Sequence, residues 1–172
     1  MALRGGSPPD STLLRAYKLI DSRFVLVASP HYLERRGRPT RPEQLVDHDC
    51  IAMDNWVPNA ISALHGPDGP VRVSFRNRIR TNRQETARKA ALDGFGIAPM
   101  VEMTCARQLE SGALVEVLPG AIPFPATFWA IYPAARSASA ATRAFVDHLA
   151  RSVPALTGPV VEPQTSQDTC AS

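Results

Sequence analysis

A chain of 172 residues with 44% hydrophobic and 20% charged side chains is long enough for one domain with a sizeable core, and this composition excludes a disordered protein. No run approaches the ~18 consecutive apolar residues that a spanning helix requires, so no membrane partner is expected. The net charge of +3 comes from scattered arginines with only two lysines, which argues against the clustered basic face of a nucleic-acid-binding module.

In chain order, Ala2-Leu3-Arg4 followed by Gly5 and Gly6 reads as a strand that ends in an arginine and a bend. Phe24-Val25-Leu26-Val27 is a short continuous apolar run, as in a strand covered on both faces, and Ser29-Pro30 supplies an N-cap and a first helical residue. That helix is expected to stop at Gly37, with Pro39 preventing continuation, and Thr40 with Glu43 forms a T-x-x-E capping box for the next turn. Val71, Val73 and Phe75 alternate with Arg72, Ser74 and Arg76, which predicts a strand with one face in the core. Ala87, Ala90 and Ala91 give a helix with a small-residue face, closed by Gly94. Val101, Cys105 and Leu109 recur at four-residue spacing before Gly112 closes a further helix. Thr142, Phe145, Val146, Leu149 and Val153 make one apolar stripe on a helix over residues 137–152. Prolines 154, 159 and 163 among Gly, Gln, Ser and Thr predict a disordered tail over 153–172. The alternation of strands and helices predicts α/β architecture with a mostly parallel sheet.

Two places have the chemistry of a ligand site. Asn82 is a good N-cap and Glu85 is placed to reach back to it, so helix initiation by itself explains Thr81-Asn82-Arg83-Gln84-Glu85. The additional reading is that free N–H groups at this helix start receive an anion. Arg4 is either a solvated rim residue or a guanidinium facing a cleft, whose fixed fork suits a carboxylate.

Other candidates are weaker. Asp47-His48-Asp49-Cys50 offers a base, acids and a thiol, yet neighbours in extended chain alternate direction and local adjacency does not make a triad. No catalytic residue is expected. His31, His65 and His148 have no metal-ligand spacing, and Cys50, Cys105 and Cys170 form neither a disulfide framework nor a zinc site, so no metal or cofactor is expected. The odd, scattered cysteines fit a cytoplasmic location best, and the opening MALRGGSPPD lacks the apolar segment of a secretory signal.

The order of motifs carries further information. Residues 27–51 contain S-P-x-Y-L, G-x-P, x-x-L and H-x-C-I behind a buried strand; Gly94-Phe95-Gly96-Ile97 gives G-x-G-I; residues 109–118 read L-x-x-G-x-L-V-x-V-L. With Ala2 to Gly6 before them, and Tyr132-Pro133 and Ala144-Phe145-Val146-Asp147 after them, these segments resemble the effector-binding domain of LysR-type transcriptional regulators over roughly residues 2–152.

The resemblance implies a periplasmic-binding-protein-like (type 2) fold, with one nearly complete lobe and the C-terminal helix of the other. Residues 1–6 would be a hinge strand from the first lobe, 7–129 the second lobe, and 130–152 the return hinge strand and first-lobe helix. A winged helix-turn-helix and most of the first lobe would be absent, leaving the stripe at Phe145 and Leu149 without most of its cover. It further implies a small anionic or polar effector held by Arg4, Thr81, Asn82, Arg83 and Phe95. DNA would be bound only through the missing winged helix-turn-helix, and the intact parent would be a homo-oligomer. A stand-alone solute-binding protein of the same fold, serving transport, is the alternative.

Overall fold

The computed structural model describes residues 1–6, 10–54, 64–73, 76–134 and 140–157. In chain order the elements are β1 (Ala2–Gly5), β2 (Leu14–Ile20), β3 (Phe24–Ala28), α1 (Pro30–Arg36), a 3-10 turn (Pro42–Asp47), β4 (Asp49–Met53), β5 (Leu64–Gly66), β6 (Gly69–Val71), β7 (Arg76–Thr81), α2 (Gln84–Leu92), β8 (Ala98–Val101), α3 (Glu102–Glu110), β9 (Val115–Val117), β10 (Phe128–Pro133) and α4 (Ala140–Thr157).

Strand β3 is the spine of the larger body. Its residues alternate between two cores: Val25 and Val27 pack with Ala87, Ala90 and Ala91 of α2 and Cys105 of α3, whereas Leu26 and Ala28 pack with Tyr32 and Leu33 of α1 and with Leu45. Both faces are therefore covered, as the unbroken apolar run demands. The small alanine face lets α2 lie close to the strands. Ser29 caps α1, its Oγ accepting from Tyr32 N at 3.4 Å, and Gly37 at φ 81° ends it by donating to Leu33 O at 2.8 Å.

Strand direction differs from expectation. β3 pairs antiparallel with both β8 and β9, and among the described residues only β4 with β7 is a parallel ladder, extended by a parallel bridge from Cys50 to Ile97. An apolar run reports burial on both faces and carries no signal of the neighbours' direction, so the sheet is mixed. At the bridge, Ile51 N donates to Ile97 O and Ile97 N to Asp49 O, each at 2.9 Å. Gly96 is required there, because an added Cβ would overlap Asp49 O.

Three further expectations shift. The turn after Gly37 is held by Gln44, whose Oε1 accepts from Thr40 N at 2.7 Å and Arg41 N at 3.2 Å; Glu43 is not the partner, because the turn starts one residue later, at Pro42. The strand placed at 71–76 is split: β6 ends at Val71 and β7 begins at Arg76, with Val73 packed against the core and Phe75 outside the described residues. The last helix runs to Thr157, beyond the boundary expected at 152.

β1, β10 and β2 form a separate three-stranded antiparallel sheet in that order. Residues 14–20 thus pair with β10 rather than with β3. Leu19, Ala130 and Val146 make a small core here, with Tyr132 and Leu149 packed against it, so β2 and β10 cover much of the α4 stripe. Phe145 remains 48% exposed. The side chains of Thr142 and Val153 lie outside the described residues.

Candidate functional site

The chain crosses between the small sheet and the larger body at two adjacent points. Ser22 N donates to Ala126 O at 3.2 Å and Ala126 N to Ser22 O at 2.7 Å, so the crossings are tied to each other. Just inside the larger body, the Arg23 guanidinium contacts Glu116 through two nitrogens at 2.6 and 2.9 Å and Glu102 at 2.6 Å. These charge-assisted bonds hold Arg23 firmly protonated.

The turn from β7 into α2 lies in the larger body. Thr81 is in register with Met53, and its carbonyl accepts from Asp54 N at 2.9 Å. Arg80 pairs with Asp54 through Nε at 3.0 Å and Nη2 at 2.7 Å. Thr81 Oγ1 accepts from Arg83 N at 3.1 Å, which keeps the chain extended one residue longer than expected. The N-cap is therefore Arg83 and not Asn82, and it offers no side-chain hydrogen bond to the first turn of α2. Glu85 does not reach back either: Arg88 holds it, at 2.5 and 3.2 Å, and that contact keeps its carboxyl below the usual range. Asn82 and Arg83 are both exposed.

The remaining candidates are elsewhere. Arg4 is exposed on β1, opposite Trp129, and no hydrogen bond or ion pair among the described residues links it to Thr81, Asn82 or Arg83. Phe95 lies past the far end of α2, about 14 Å away for nine residues at 1.5 Å each. Its neighbour Gly94 accepts from Arg35 Nη2 of α1 at 2.9 Å, which ties that end of α2 to α1. Phe95 is 45% exposed, at the opposite end of α2 from the helix start.

The Asp47-His48-Asp49-Cys50 segment is built for packing. Asp49 N donates to Tyr32 Oη at 2.9 Å, and Tyr32 Oη lies 3.2 Å from His48 Nδ1. The Asp49 carboxylate receives Arg78 at 3.2 Å and Arg76 at 3.6 Å. Burial lowers the His48 pKa and pushes the Cys50 thiol up to about 12, so the thiolate a nucleophile requires is scarce at neutral pH. Sequence reading assigned no role to Tyr32; its signal was present in the S-P-x-Y-L motif, but its partner is far along the chain.

Two cavities among the described residues lie away from the β7–α2 turn. A shallow groove of about 570 Å³ lies among Pro39, Pro42, His65, Pro67, Leu118 and Pro119, and a pocket of about 30 Å³ beside Leu26, Cys50 and Ile97 has room for little more than a water molecule. Among the described residues no cluster of His, Cys, Asp and Glu is arranged to hold a metal, and no helix is long and apolar enough to cross a membrane.

Residues 1–154 match the family model of the LysR substrate binding domain. The chain belongs to this family. The regulator CrgA of Neisseria meningitidis is 30% identical over 151 residues, covering 87% of this chain and 50% of CrgA. A putative transcriptional regulator of Pseudomonas aeruginosa is 33% identical over 129 residues, covering 74% of this chain and 42% of its own length. This LysR substrate-binding domain also superposes on the regulatory domain of CrgA with a TM-score of 0.76 at 28% identity, covering 88% of this chain and 74% of that one. Full-length AphB of Vibrio cholerae gives 0.74 at 29%, covering 87% and 50%. The fold is thus the periplasmic-binding-protein-like type 2 fold of LysR regulatory domains, and these relatives are transcriptional regulators rather than transporters. The chain spans about half the length of the curated relatives it matches.

Proposed function

We propose that this chain is the effector-sensing portion of a LysR-type transcriptional regulator, working in the cytoplasm on DNA-templated transcription through a separate winged helix-turn-helix. The carrying observation is the family match over residues 1–154. In this reading the body from β3 to β9 lies in the second lobe expected over 7–129, β1 and β10 are the hinge strands and α4 the first-lobe helix, while β2, expected in the second lobe, joins the hinge sheet through its pairing with β10. An effector in the cleft would favour one interlobe geometry, and differential affinity for two geometries is what biases a DNA-bound oligomer. No covalent step is needed.

Within that reading, a small anionic or polar effector contacts Thr81, Asn82 and Arg83, with Arg4 of β1 as a second anchor. The uncapped first turn of α2 supports this, since its N–H groups and helix dipole favour an anion. A helix end contributes about 0.3–1 kcal/mol to an exposed anion, whereas micromolar binding needs about 8 kcal/mol. The turn can orient a carboxylate, and charge-assisted bonds from Arg4 and Arg83 plus apolar burial must supply the rest. Phe95 is too far along α2 to be part of that apolar wall. Small carboxylates screened by thermal shift, then measured by calorimetry on Asn82→Ala, Arg4→Ala and the double variant, test this site. A tenfold or greater loss of affinity, about 1.4 kcal/mol, is expected for the double variant. Unchanged affinity in a stably folded double variant removes both residues from the site.

A further inference from the structure

The first turn of α3 joins the proposed effector turn to the crossing between the two sheets, through hydrogen bonds on both sides. On the crossing side, Glu102 N donates to Arg23 O at 3.0 Å and Met103 N to Ser22 Oγ at a longer 3.4 Å. Two of the N–H groups that a helix start leaves unpaired are thus satisfied by the crossing itself. The Glu102 side chain adds its ion pair to Arg23, which in turn grips Glu116 on the edge strand β9. On the effector side, Thr104 Oγ1 lies 2.7 Å from the Gln84 side-chain amide and 2.6 Å from Val101 O. One hydroxyl proton cannot serve both acceptors. The arrangement closes when Thr104 donates to Val101 O and the Gln84 amide turns its NH₂ toward the Thr104 oxygen. Gln84 is the first residue of α2, directly after the turn formed by Thr81, Asn82 and Arg83.

We propose that Gln84, Thr104, Ser22 and Arg23 form a relay that couples the conformation of the β7–α2 turn to the geometry of the crossing. The proposal rests on the effector reading for its purpose, since a ligand that shifts the start of α2 would pull Thr104 and with it the first turn of α3. Arg23 and Thr104 are positioning residues here and touch no ligand. Contiguous contacts alone do not demonstrate coupling; non-additivity does. The Gln84–Thr104 bond is exposed to solvent, so a modest effect of about threefold is expected, within the range seen for mutations between coupled sites.

The test is a double-mutant cycle on the whole chain without ligand, read by amide hydrogen exchange at Arg83 and Ala87, which donate to Thr81 Oγ1 and Arg83 O at 3.1 Å each. Exchange at Val25 and Val27 serves as the reference for global stability. Arg23→Lys should speed exchange at Arg83 and Ala87 by about threefold relative to that reference. In a Thr104→Val background the same change should have no effect on these amides, and Thr104→Ser should restore it. If Arg23→Lys does not fold, Ser22→Ala takes its place in the same cycle. Equal factors in both backgrounds, or no response at α2 to the crossing variant, overturn the relay. Because no ligand is present, failure here leaves the calorimetric test of the effector turn standing, and failure of that test leaves this cycle readable.

Discussion

The larger body and the small sheet are both strands covered by helix, yet they differ in how completely they are closed. In the larger body, Val27, Leu45, Ile51, Met100, Leu114 and Val117 are all fully buried, and β3 has a core on each face. The small sheet fully encloses little beyond Ala130, while Leu3 is 61% exposed, Leu14 39%, Tyr17 43% and Phe145 48%. Burying one such side chain is worth about 1.5–3 kcal/mol, so the larger body has the means of holding itself together and the small sheet depends on more cover than these residues provide.

The sharpest way to break that comparison is a pair of core truncations. Ile51→Ala removes a fully buried side chain beside the bridge to Ile97 and should cost about 4 kcal/mol in urea unfolding followed on the larger body. Val146→Ala in the small core should lower that same measurement by less than about 1 kcal/mol, because α4 opens locally before the larger body unfolds. Equal losses would mean a single cooperative core. Gly96→Ala should follow in size, at about 3 kcal/mol, since its Cβ would push into the Asp49 backbone and part the Cys50–Ile97 bridge.

A smaller effect sharpens the comparison through pH. Burial depresses the His48 pKa below its ordinary 6.5, so the unfolded chain binds the proton more readily than the folded one. Stability contributed by neutral His48 is complete above pH 6.5 and is lost as pH falls below that value toward the folded pKa. Arg36 disfavours the added charge, while Asp47 and Asp49 favour it and reduce the loss. His48→Gln should flatten urea stability between pH 7 and pH 5 for the larger body, and leave the exchange behaviour of α4 unchanged. An unaltered pH slope would show that His48 is not its source.

These regions also differed in how legible they were. Ser29, Pro30 and Gly37 act on their own neighbours, so the start and stop of α1 could be read directly from residues three or four apart. Choices set by a competing local partner were missed: Gln44 displaced Glu43 because the 3-10 turn starts one residue later, and Thr81 displaced Asn82 by taking the Arg83 N–H first. Strand direction was not legible at all, because β3 is apolar on both faces whichever way β8 and β9 run. The cover of α4 depends on residues 14–20 finding β10 more than a hundred positions away, a pairing that no local pattern in Leu14-Arg15-Ala16-Tyr17 announces. For the candidate site, the helix start was legible as a motif. The distance of Phe95 from it followed only from where α2 begins and ends.

A self-sufficient larger body and a dependent small sheet meet at the tied crossings of Ser22 and Ala126. Native-state hydrogen exchange across the whole chain, over a series of protein concentrations, tests it in one measurement. Amides of β3 and β8 should exchange only through global unfolding, while those of α4 and β2 exchange at least about 100-fold faster in dilute monomer, a gap of about 2.7 kcal/mol. Equal protection of both regions in a demonstrably monomeric sample would contradict it.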